Sequence, residues 1–230
     1  MLEVDFSPKQ ATHARPQSYP DTKVDLRQAD LTGMRLWDAN LSKVNLSGAL
    51  LNQANLNGAA LRGADLNGAG LREANLNNAD LRAVDLRDAN LNGAFLMGTH
   101  LHGADLRWAD LIEAHLNAAL LSGAYLNGTN LSGAHLDRAD LSGAHLIGSN
   151  LCDATLSESL VYGVSVWDIK VDDRTKQQNL IITRYGDAAI TVDNIKVAQF
   201  IYLLLNNQEI RDVIDTLTSK AVLILVFTCD

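Results

Sequence analysis

Cysteine is nearly missing from this chain: Cys152 and Cys229 are the only two, which excludes a disulfide framework and a cysteine-based metal set. Proline is confined to Pro8, Pro16 and Pro20, so nothing after them interrupts regular structure by removing a backbone donor. Aromatic residues make up 5%, too few for a core built from large rings. Cations are outnumbered, with 19 Lys and Arg against 27 Asp and Glu, and a net charge of −8 excludes the basic patch that holds nucleic acid by its phosphates. Long apolar runs are also lacking. Residues 1–20 contain no signal-peptide core, and later apolar stretches are too short to span a bilayer, so the expectation is a cytoplasmic protein contacting neither membrane nor nucleic acid.

What the chain has instead is one small unit, copied. Leucine stands at every fifth position from Leu26 to Leu156, through stretches such as AYLNG, TNLSG, AHLDR, ADLSG and AHLIG. The residue two before each leucine is almost always small (Ala49, Ala54, Ala59, Ala64), the one just before is usually Asn or Asp, and the two after are polar or Gly. A period of five fits neither a helix of 3.6 residues per turn nor a strand of period two. If each pentapeptide forms one extended side and then turns a corner, four close a square of about twenty residues with every leucine inside. Stacking the squares at about 4.8 Å pairs backbone groups from coil to coil. Burying one leucine is worth about 1.5–3 kcal/mol, so a leucine column suffices as a core and leaves no interior room for a ligand or cofactor. Gly58, Gly63, Gly68, Gly93, Gly98, Gly103, Gly123 and Gly128 then fall on corners, not in a nucleotide-binding loop.

This A(D/N)LXX pattern resembles the pentapeptide repeat family. The resemblance implies an all-β solenoid, a right-handed quadrilateral β-helix of about seven coils. Residues 23–166 carry it, a rod of roughly 34 Å at the sheet spacing. Residues 1–22 read as an irregular N-terminal arm over the first coil. From about Trp167 the composition shifts to a small α+β segment, 167–230, that covers the open end. In it, NLIIT (179–183) and AAITV (188–192) read as strands around a Tyr185-Gly186-Asp187 turn. Asp193 caps a helix carrying Ile195, Ala198, Ile201, Tyr202 and Leu205, which Asn206-Asn207 ends. A second helix with Ile210, Val213, Ile214 and Leu217 leads to a strand, AVLILVF (221–227). The stretch from Ile190 to Leu225 is similar to the linker of bacterial pentapeptide repeat proteins that continue into a Toll/interleukin-receptor-like domain. The resemblance makes the AVLIL run the opening strand of that domain, with no catalytic or signalling residue of it to carry over.

Positions twenty apart lie one above another, so the outer faces read as columns. Asp25, Asn45, Asp65, Asp85 and Asp105 form one. An acidic ladder suggests a DNA mimic, and the resemblance implies a topoisomerase partner, because some family members protect DNA gyrase from quinolones that way. Arg87 and Arg107 on the same face weaken that reading by cancelling the negative field. His115 stacks with His135, and His100 flanks Leu101 with His102, but neither pair has a third ligand, so no metal is expected. Phe95 and Met97 share one face with Trp37, while Trp108 and Tyr125 project from another. No Ser, His and acid converge for catalysis. The expected function is therefore a non-catalytic, cofactor-free scaffold offering rigid faces to a protein partner, with self-association through the C-terminal segment. The alternatives are the acidic topoisomerase binder and a truncated remnant of a fused effector.

Overall fold

The computed structural model describes residues 25–216. Its backbone is a stack of four-sided coils joined by parallel bridges between residues twenty apart, from Asp25 with Asn45 through Asn150 with Lys170. The reason for the period lies in one pentad. The leucine carbonyl accepts the amide three residues on, as Leu56 does from Ala59 at 3.0 Å, closing a tight corner. The third residue of that corner has positive φ, the signature of a type II turn. Gly58 takes it at +67° and Gly128 at +68°, but so do Gln53 at 57°, Trp108 at 62° and Ala118 at 54°. A non-glycine residue there is strained by about 1–2 kcal/mol, so the coil stacking must outweigh it.

The remaining backbone groups run along the rod. Each leucine amide donates to the coil that follows, as Leu66 does to Asp85 at 2.7 Å. Each residue before a leucine donates to the coil that precedes, as Asp85 does to Ala64 at 3.0 Å. Inside, the leucines from Leu46 to Leu156 and their small neighbours are almost wholly buried. Where Thr99, Thr129, Ser149 or Ser159 takes the small position, its hydroxyl donates to a leucine carbonyl one coil down, 2.6 to 2.9 Å away. A buried hydroxyl is tolerated because it has that acceptor.

Coil pairing does not stop at Val166. Thr155 pairs with Lys176 and Leu160 with Ile181, an offset of 21 that marks one extra residue in the last turn. Asp172 organises the extra residue, accepting the amides of Asp153, Arg174 and Thr175. These bonds, the Asp153 amide first, hold its carboxyl well down, at about 2. The expected strands shrink to β1, Leu180–Ile181, and β2, Thr191–Val192, paired antiparallel. The fourth side of the coil therefore ends on a reversed strand.

The helix α1 spans Ile195–Asn206. Its cap is not Asp193. Asn194 accepts the amides of Lys196 and Val197, while Asp193 turns back to accept the Asn179 amide at 2.8 Å. α1 lies over the end of the rod, burying Ile195 and Ala198 and setting the Tyr202 ring edge-on to Tyr162. Gln199, also buried, accepts the Val166 amide at 3.2 Å, a donor that in lower coils would go to the next leucine-pentad carbonyl. Residues 208–216 are helical as expected. The N-terminal arm, Leu217 and AVLILVF lie outside the described residues.

Candidate interaction faces

The faces differ only in their side chains. On the first face, bridges join Asp25, Asn45, Asp65, Asp85, Asp105, Tyr125, His145 and Ser165 in one column. The acidic part is not bare. Arg27 pairs with Asp25 at 2.7 Å, Arg87 with Asp85 and Arg107 with Asp105 at 2.6 Å, and Arg87 also reaches Asp105 at 3.7 Å. The hydrogen bond from Arg87 holds the Asp85 carboxyl below its ordinary value and raises the guanidinium in turn. The Asp65 carboxylate accepts the Asn67 amide, 3.1 Å away. Above this ladder the face becomes apolar. The Trp108 indole lies against Gly128, where an added Cβ would collide with the ring, and is 67% exposed. Tyr125 stacks on His145 with centroids 5.2 Å apart, and Ile147 and Trp167 continue the exposed apolar surface. Ile147 and Trp167 were missed by the sequence reading, although the spacing of twenty places them one rung above Asn127 and Ile147 respectively.

The third face carries Phe95 and Met97. Phe95 stacks on His115 at 5.0 Å and His115 on His135 at 5.1 Å, nearly parallel, so three rings form a ladder at the coil spacing. Phe95 is 42% exposed and Met97 54%. Met97, Asn117, Ala118, Asp137 and Arg138 border an open cleft of about 420 Å³. Burial, with the nearby His135 second, holds His115 below the usual imidazole value. His100 and His102 meet edge to face at 6.2 Å on the fourth side. Thus the structure groups Asp65, Asp85, Asp105, Trp108 and Tyr125 on one face and puts Phe95 and Met97 on the opposite one.

Among the described residues no cluster of three His, Cys, Asp or Glu could hold a metal, and no helix is long and apolar enough to cross a membrane. The described fold is that of a β-solenoid repeat protein whose distinguishing chemistry is on its outer faces. The chain belongs to the pentapeptide repeat family: the family's model, "Pentapeptide repeats (8 copies)", matches residues 22–58, 45–82, 79–117 and 119–157. Its fold is the right-handed quadrilateral β-helix, and members are in general non-enzymatic interaction proteins. Among solved structures the chain is similar to HetL, a pentapeptide repeat protein involved in heterocyst differentiation regulation in the cyanobacterium Nostoc sp. strain PCC 7120. Identity is 33% over 69% of this chain and 80% of HetL, with a TM-score of 0.43. Rfr23 from the cyanobacterium Cyanothece 51142 is 34% identical over 42% of this chain and 62% of its own, with a TM-score of 0.35. QnrB1, a plasmid-mediated fluoroquinolone resistance protein, is 20% identical over 65% of this chain and 90% of its own, with a TM-score of 0.39. No curated protein sequence matches the chain.

Proposed function

We propose that this protein is a non-catalytic scaffold whose third face binds a protein partner through Phe95 and Met97. The supporting observation is an aromatic anchor already held in place: Phe95 is stacked on His115 yet open to solvent, with Met97 and the 420 Å³ cleft beside it. An anchor ordered before binding loses little side-chain freedom on association, which is how a small surface comes to dominate an interface. Site-specific photocrosslinking from position 117 in the source cell, followed by mass spectrometry, tests this. A protein product that disappears in Phe95→Ala/Met97→Ala is expected. Products unchanged by that double variant, or found equally from position 90 on the second face, end the reading.

The acidic topoisomerase binder is the weaker reading, because Arg87 and Arg107 break the negative column into neutral pairs. Supercoiling by purified gyrase that is unaffected by micromolar protein removes it.

A further inference from the structure

We infer that two copies of this chain pair through the first face, side by side and parallel, about a two-fold axis running along the rod. This stands independently of the third-face partner. On each rung of the first face, the residue before the core leucine and the residue after it form two adjacent columns. A two-fold axis along the rod lays one copy's first column on the other copy's second column at the same height. Asp85 then meets the second copy's Arg87, and Asp105 meets the second copy's Arg107. That these columns match in charge and reach is seen within one copy, where the same side chains pair at 2.6 Å.

The upper rungs match in size instead of charge. Tyr125 falls opposite Asn127, and Trp167 opposite Ser165. Bulk meets a small residue on these two rungs, with His145 opposite Ile147 on the rung between them, and both Tyr125 and Trp167 are exposed in the single chain, Trp167 by 59%. A two-fold axis across the rod would do the reverse, setting aspartates on aspartates and the apolar end on the charged end, and like charges held together are costly.

The face spans about 34 Å by about 10 Å at sheet dimensions. That is well under the roughly 800 Å² per partner of tight complexes, so a dissociation constant of tens of micromolar is expected, rising with salt because the pairs remain near solvent.

Sedimentation velocity of the full chain over a concentration series tests this, with two charge variants to locate the contact. Asp85→Arg/Asp105→Arg makes both columns cationic, and Arg87→Asp/Arg107→Asp makes both anionic. Each alone is expected to sediment as a monomer with an unchanged circular dichroism spectrum. Mixed in equal amounts they are expected to recover the dimer, because a cationic face then meets an anionic one. A parent that stays monomeric throughout overturns the inference. So does either variant dimerising alone as well as the parent, which would locate the contact elsewhere, or a mixture that remains monomeric.

Discussion

Leu91 and Asn90 are neighbours in sequence with opposite fates. Leu91 is fully buried between coils, whereas the Asn90 side chain faces outward and accepts the Asn92 amide at 3.1 Å. Leu91→Asp places an unpaired charge in the leucine column and is expected to cost more than about 3 kcal/mol, while Asn90→Ala costs at most about 1 kcal/mol. Thermal or denaturant melts of the two variants check this, and equal losses contradict the register. His115 gives a pH dependence whose sign follows from its surroundings. Its folded proton affinity lies below the ordinary value of 6.5, so the unfolded chain binds the proton first as pH falls. Stability is complete above pH 6.5 and is lost as pH drops from there toward the folded value. His115→Phe keeps a ring between Phe95 and His135 but cannot titrate, so its melting temperature is expected to fall less between pH 7 and pH 5 than the parent's does. Burial of the leucines and outward placement of the asparagines are legible from the period alone. The ring ladder of Phe95, His115 and His135 needed the columns to be followed face by face, which the sequence reading did only for the two histidines.

Among the elements, the coil end shows how a solenoid stops. Every coil leaves amides that the next coil must accept, and the last one has no successor. At Val166 the acceptor is the Gln199 side chain, delivered by α1. Gln199→Leu removes that acceptor from a buried donor and is expected to cost about 1–3 kcal/mol. The loss should concentrate at the cap, with amide exchange at Val166 accelerating far more than at Leu106, which hydrogen–deuterium exchange resolves. The helix was legible from its apolar spacing, but its cap was misread by one residue. Asp193 and Asn194 are both good caps by type, and only the position of Asn179, whose amide claims Asp193, leaves the role to Asn194. The continuation of the coil to Ile181 was illegible for a related reason. Val161 and Val166 stand where leucine would, and Ile169 and Leu180 take the small position, so the packing is kept while the repeated letters are lost.

At the scale of the molecule, a rod of repeated coils has stability that is a sum over neighbours, not over one global core. Removing residues 81–100 takes out one full coil and joins Asp80 to Leu101, so every later side chain keeps its face. The melting temperature of that deletion is expected within about 5 °C of the parent, whereas deleting Asn92 alone leaves a four-residue side and lowers it by more than about 10 °C. Calorimetry of the pair checks this, and similar melts would mean that the twenty-residue coil is not the structural unit. The period of five, with a small residue two before each leucine, by itself determined the coil, its corners and its core, because those contacts are local and identical in every turn. Which outer residues meet from coil to coil was decided only by stacking, because those neighbours lie about twenty residues apart along the chain and about 5 Å apart in space. The Arg87 bridge between Asp85 and Asp105, the Trp108 ring against Gly128 and the Gln199 cap on Val166 all belong to that second kind. Each depends on the distance between coils, which the backbone hydrogen bonds set and no short stretch of sequence contains.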